Sequence, residues 1–185
     1  SNCCDRADGI GGGIHMTGGR VLGCEITECF AVQMGGKGGG IAVMGKDAVV
    51  SNCYIHGNFA TYGHNNQSVL GGGLYLQQGL VTQCRIVDNI DPYDRSRQFF
   101  GSTGSGVYVG DDSKGVLRNC LIARNSSAYA TAVAFAGGTI ENCTIVDNVT
   151  TVTNSPVVRV VRGMVPGNVY ASLSLTNVVM WSNAM

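Results

Sequence analysis

The chain has 185 residues, of which 28 are Gly and only 3 Pro, with 13% charged residues and a formal net charge of zero. That is enough chain for one domain with a sizeable core, and its composition suits an ordered, turn-dense β protein, not a collagen-like or Pro-rich disordered one. No Lys/Arg cluster provides the electrostatic footprint of a nucleic-acid or anionic-membrane partner, no apolar run approaches the roughly 18 residues of a membrane span, and the N-terminus lacks a signal-peptide pattern.

Taken in chain order, the sequence repeats two landmarks. The first unit opens on Gly11-Gly12-Gly13-Ile14, continues through Val21, and reaches Gly23-Cys24-Glu25-Ile26-Thr27-Glu28-Cys29. The second runs from Gly38-Gly39-Gly40-Ile41 through Val50 to Asn52-Cys53-Tyr54-Ile55-His56-Gly57-Asn58. Unit three has Gly71-Gly72-Gly73-Leu74, Val81 and Gln83-Cys84-Arg85-Ile86-Val87-Asp88-Asn89; unit four has Gly104-Ser105-Gly106-Val107, Leu117 and Asn119-Cys120-Leu121-Ile122-Ala123-Arg124-Asn125. In the fifth the glycines weaken to Thr131-Ala132-Val133 before Ile140 and Asn142-Cys143-Thr144-Ile145-Val146-Asp147-Asn148. A sixth reads Pro156-Val157-Val158, Leu175 and Asn177-Val178-Val179-Met180-Trp181-Ser182-Asn183.

The shared pattern is N-C-x-I-x-x-N. Its Cys position falls at 24, 53, 84, 120, 143 and 178, so the period is irregular while the motifs stay rigid. Leucine-rich, ankyrin and tetratricopeptide repeats hold their period tightly, whereas coils that admit loops at their corners do not. Within each unit, Leu74-Tyr75-Leu76, Val107-Tyr108-Val109 and Val133-Ala134-Phe135 show the alternation of a strand. The apolar residue three before Cys, the Cys itself and the Ile two after it cannot all face inward on one straight strand. A bend is therefore expected at the polar pair, such as Ser51-Asn52 or Glu141-Asn142, giving three short strands per coil. Stacked coils would place equivalent residues ~4.8 Å apart, as ladders of Ile/Leu/Val, of Cys and of Ile.

These GGGI and IxxN signatures resemble the GGA[I/L/V] and FxxN repeats of right-handed parallel β-helices in bacterial surface proteins, the polymorphic outer membrane proteins and autotransporter passengers. The resemblance covers essentially the whole chain. It implies an all-β solenoid of about six coils forming a single domain over residues 1–185, extracellular or on a bacterial cell surface, with a structural or adhesive role. The same coil also underlies pectin-cleaving enzymes and phage tailspikes, so activity has to be argued from a site. Asn2 lies nine residues before Gly11 as Cys29 lies nine before Gly38, which starts the chain partway through a coil, and Met185 falls within another. With no amphipathic helix to cap either end, the expectation is a fragment of a longer protein, or a segment that associates end to end with further copies.

Two ladders follow from the repeat. Cys24, Cys53, Cys84, Cys120 and Cys143 are expected as a packed, reduced column: zinc needs tetrahedral convergence that one thiol per rung does not provide, and parallel side chains in register suit a disulfide torsion poorly. Cys3, Cys4 and Cys29 lie off that column, and a disulfide from Cys3 or Cys4 to Cys29 is the expected exception. Asn58, Asn89, Asn125, Asn148 and Asn183 share a corner and are expected to hydrogen-bond along the stack. The GGG turns are not phosphate loops, since no Lys-Ser/Thr and no helix follow them. No metal and no cofactor are expected.

Function is sought on the outside. The outward column of the first strand reads His15, Ala42, Tyr75, Tyr108, Ala134, Arg159. Long loops 59–70, with Tyr62 and His64, and 90–103, with Asp91, Tyr93, Asp94, Arg95 and Arg97, leave just upstream of the two tyrosine rungs. Together they would wall a groove for a polysaccharide or host-surface glycan, with aromatic faces for sugar rings and Tyr62, His64, Tyr75, Tyr93, Arg95, Arg97 and Tyr108 as ligand contacts; alternatively, the loops only cover the flank and pack on the tyrosines. The rival class is a polysaccharide lyase or glycoside hydrolase of the β-helix type using Asp91, Asp94, His64 and Arg97, because such chemistry needs carboxylates or a base beside a charge-neutralising group. A self-assembling fibre segment is the third.

Overall fold

The structure, a computed structural model, describes residues 3–4, 9–32, 35–61, 69–91, 103–127, 131–150, 156–160, 164–165, 169–170 and 172–183. The chain winds into an all-β parallel β-helix, and among the described residues there is no α-helix. Six rungs stack in each of three sheet faces. In the first, Ile14–Met16, Ile41–Val43, the start of Leu74–Thr82, Thr103–Arg118, Thr131–Phe135 and Val158–Val160 follow one another. The pairing is parallel and in register, Ile14 beside Ile41, Leu74, Val107, Val133 and Val158. On the second face Val21, Val50, Val81, Leu117, Ile140 and Leu175 align; on the third, Ile26, Ile55, Ile86, Ile122, Ile145 and Met180 do. Apart from the exposed Leu175, Met180 and Cys24 at the outer rungs, these columns form one continuous apolar core together with the Cys column. Burying each aliphatic side chain contributes roughly 1.5–3 kcal/mol, and the core is shared between neighbouring coils because no single coil can enclose it.

The three strands expected per coil are present, and a shorter fourth follows the Asn corner. Phe30–Val32 and Phe59–Thr61 pair in one small sheet, and Ile90–Asp91, Ser126–Ser127 and Val149–Thr150 in another. An antiparallel pairing occurs once among the described strands, where Met164–Val165 meets Val169–Tyr170 in the sixth coil.

Two bends per coil use the left-handed backbone region. The residue before Cys is one: Gly23, Asn52, Gln83, Asn119, Asn142 and Asn177 have φ between +50° and +61°. The residue before the corner position, which is Cys29 in the first coil and Asn in the other five, is the other: Glu28, Gly57, Asp88, Arg124, Asp147 and Ser182, at +51° to +59°. The polar pair at Ser51-Asn52 and Glu141-Asn142 thus bends where the alternation requires, with Asn at the residue type that tolerates this region best after Gly.

The GGG turn has a spatial reason. Gly71 takes φ +67°, and a Cβ on Gly73 would sit 2.6 Å from the Asn89 amide, so the third glycine makes room for the corner Asn. At the last rung the column residues Leu175 and Met180 are exposed, and the outward Trp181 is 73% exposed.

Candidate functional site

The Asn corner is a continuous amide chain through the interior. Asn58 Nδ2 donates to Asn89 Oδ1 (3.1 Å), Asn89 Nδ2 to Asn125 Oδ1 (2.9 Å), Asn125 Nδ2 to Asn148 Oδ1 (2.9 Å) and Asn148 Nδ2 to Asn183 Oδ1 (3.0 Å). Each Oδ1 also accepts the backbone N–H of the preceding rung, from Cys29 N to Asn58 Oδ1 through to Asn148 N to Asn183 Oδ1. The second N–H of each amide reaches the carbonyl of Ile26, Ile55, Ile86, Ile122 or Ile145. Buried amides satisfied on both ends are what an interior polar network needs to hold a register. This ladder is structural.

The Cys column is likewise packed. Cys24, Cys53, Cys84, Cys120 and Cys143 are unlinked thiols. Each donates to the carbonyl two residues before it, as Cys84 Sγ to Thr82 O (3.2 Å) and Cys120 Sγ to Arg118 O (3.1 Å). Hydrogen bonding to Cys143 and Cys84, followed by burial, pushes the Cys120 thiol far above the usual range, and burial raises Cys53. Such thiols behave as small protonated hydrophobes, not as nucleophiles or ligands. Cys24, on the first rung, is exposed. Cys3 aligns with Phe30 and Cys4 with Ala31, and their side chains lie outside the described residues. The expected disulfide to Cys29 is corrected: Cys29 keeps a buried thiol that is not joined in a disulfide and whose Sγ donates to Thr27 O at 3.2 Å.

On the first face the outward column is aligned as the alternation requires, His15 beside Ala42, Tyr75, Tyr108, Ala134 and Arg159. The expectation that Tyr75 and Tyr108 wall a groove is corrected: Tyr75 is 0% and Tyr108 8% exposed. Both belong to a second apolar cluster with Ala42, Ala134 and Ala136, packed by Ile10, Met44 and Leu70. The cause is the residue entering each GGG turn. Ile10, Lys37, Leu70 and Thr103 form their own row of parallel bridges beside this face. The tyrosine rings stack on each other, 5.7 Å apart and 4° from parallel, while Lys37 Nζ lies 3.1 Å from Tyr75 Oη and 4.8 Å from its ring centre. Ring faces so occupied are not offered to a sugar.

Of the loop residues, Tyr62, His64, Tyr93, Asp94, Arg95 and Arg97 lie outside the described residues. Asp91 ends the strand Ile90–Asp91, beside Ser127, and its side chain is also outside them. What the structure does fix is where the loops are rooted. Ile90 N donates to Asn58 O (3.1 Å), and at the far end Leu70 bridges Thr103. Loops 59–70 and 90–103 therefore leave and return on adjacent rungs.

The sequence reading passed over the third face, which carries polar side chains outward. Glu25, Tyr54 and Arg85 share a column. His56 Nε2 meets Glu25 Oε1 at 2.8 Å and stacks on Tyr54 with ring centres 4.0 Å apart; the Arg85 guanidinium lies 5.1 Å from the Tyr54 ring centre. Arg124 grips Asp88 with two bonds of 2.8 and 2.6 Å, and on the second face Arg118 meets Glu141 at 2.7 Å. The outward positions of alternating strands carried this signal, but each pair spans two coils and becomes visible only once the rungs are aligned. Each of these pairs links two neighbouring coils at the exposed surface, where such a contact contributes about 0–1 kcal/mol.

Searches of curated proteins and of solved structures gave no match. A family model described as "Right handed beta helix region" matches residues 4–160. Its span takes in five of the six coils, the amide chain up to Asn148 and the whole Cys column, so by sequence as by architecture this chain belongs to the right-handed β-helix family.

Proposed function

We propose that this β-helix is a structural and adhesive segment of a secreted or cell-surface bacterial protein, one that holds loops 59–70 and 90–103 against a polysaccharide or host-surface glycan. The observation that carries the reading is the shared rooting of those loops on adjacent rungs, through Ile90 N to Asn58 O at one end and Leu70 beside Thr103 at the other. Roots on adjacent rungs lie ~4.8 Å apart, and the segments between them carry Tyr62, His64, Tyr93, Arg95 and Arg97. Aromatic rings suit the apolar faces of sugars, and guanidinium groups suit hydroxyls and carboxylates. A rigid solenoid under loops is the general arrangement by which repeat proteins display a binding surface. The test is a glycan array probed with the chain and with a Tyr62→Ala/Tyr93→Ala/Arg97→Ala variant of unchanged melting temperature. Loss of the strongest signals supports the reading, and an unchanged profile dismisses it.

A further inference from the structure

The Cys column is not uniform along its length. Its first member, Cys24, is an exposed thiol, whereas Cys53, Cys84, Cys120 and Cys143 are at most 3% exposed. Cys24 and Cys53 are direct neighbours on adjacent rungs: Tyr54 N donates to Cys24 O at 2.9 Å, and Glu25 lies beside Tyr54 and Ile26 beside Ile55. Their side chains also take the same course. Cys24 Sγ donates to Leu22 O and Cys53 Sγ to Ser51 O, both at 3.3 Å and both two residues back. Two sulfurs displaced equally from stacked backbones are as far apart as the rungs, ~4.8 Å.

That separation selects by coordination number. A metal–thiolate bond is roughly 2.3 Å long, so a cation midway between the two sulfurs reaches both in a straight line. Zinc, which completes a tetrahedron in its protein sites, would find two of its four ligands. Among the described residues no cluster of three or more His, Cys, Asp or Glu side chains offers such a set. Calcium and magnesium want oxygens. Cu(I) and its heavier congener Ag(I) favour soft sulfur and are satisfied by two collinear thiolates. Solvent access then picks the pair. Two thiolates around one monovalent cation keep a negative charge, which the dry interior at Cys84, Cys120 and Cys143 would penalise and water at the first rung does not.

We propose that Cys24 and Cys53 form a linear two-thiolate site for a monovalent soft cation, Cu(I) or Ag(I). Burial keeps the Cys53 thiol protonated and inert by itself. Cys24, reached first from solvent, takes the cation and releases its proton; the cation, now in line with Cys53 Sγ, displaces the second proton. Two S–H bonds break, two metal–sulfur bonds form, both protons pass to water and no electron is transferred. The glycan reading uses neither thiol, so the two stand or fall separately.

Titration of the chain with Ag(I) in chloride-free buffer tests it, with ultraviolet sulfur-to-metal absorption reading bound cations and a pH-stat reading released protons, both counted while the circular dichroism is unchanged. Against the parent chain, Cys24→Ser should bind one equivalent fewer and release two protons fewer, a difference to which the remaining thiols do not contribute. Cys53→Ala should lose the same equivalent and Cys143→Ala none. Cys24 is exposed, so its variant decides the matter should Cys53→Ala fail to fold. Unchanged stoichiometry in Cys24→Ser, a loss of one proton in place of two, or an equal loss in Cys143→Ala would overturn the proposal.

Discussion

Replacing Asn89 by Ala removes a side chain that is fully buried and fully engaged. Its Nδ2 donates to Asn125 Oδ1 at 2.9 Å and to the carbonyls of Ile55 and Val87 at 3.1 Å, while its Oδ1 accepts from both the backbone N–H and the Nδ2 of Asn58 at 3.1 Å. The Asn58 side chain keeps its bond to Ile26 O, but the Asn58 backbone N–H loses its acceptor inside a water-free core. Buried hydrogen bonds contribute about 0.5–1.5 kcal/mol each and an orphaned donor costs about 1–3 kcal/mol, so the loss should reach ~3–5 kcal/mol. Asn183→Ala is the internal control. That residue closes the row, is only partly buried, and water can reach the Asn148 groups it leaves, so a loss of about 1 kcal/mol is expected. Urea unfolding of both variants gives the comparison, and amide exchange at Asn58 reads the orphaned N–H directly. If Asn89→Ala proved no more damaging than Asn183→Ala, or if Asn58 exchange were unaltered, the claim that the amide row holds the coils in register would be wrong.

Gly73→Ala should destabilise by more than about 2 kcal/mol, because its Cβ would press on the Asn89 amide at 2.6 Å and on Gly106 O at 2.8 Å; Gly18→Ala, which meets nothing within 4 Å, should change the urea midpoint little. Gln83→Asn places at φ +55° the residue that four other coils already use there, and a gain of about 0.5 kcal/mol in thermal unfolding is expected. A thiol reagent should modify Cys24 at once in the native protein, and Cys53, Cys84, Cys120 and Cys143 only as the chain unfolds, so their labelling rate should track denaturant.

The ladders were legible in the sequence because each repeats the same residue at the same offset, and stacking turns repetition into adjacency. Alternation also placed Tyr75 and Tyr108 on the outward side, yet it says nothing of whether that side is covered. The covering row of Ile10, Lys37, Leu70 and Thr103 has no common chemistry by which the sequence could announce it. The fourth strand escaped because segments as short as Ser126–Ser127 carry no period. Glu28, Arg124 and Ser182 gave no hint of a left-handed bend, since their side chains do not favour it.

All the amides in the core row face one way, each handing its proton toward the higher-numbered neighbour. The row is consequently a vector, with small dipoles adding head to tail along the axis. A coil grafted upside down would set donor against donor at one junction and acceptor against acceptor at the other, whereas one duplicated in tandem would meet the same bonding above and below. Lengthening by gene duplication is the one route of growth this interior leaves open.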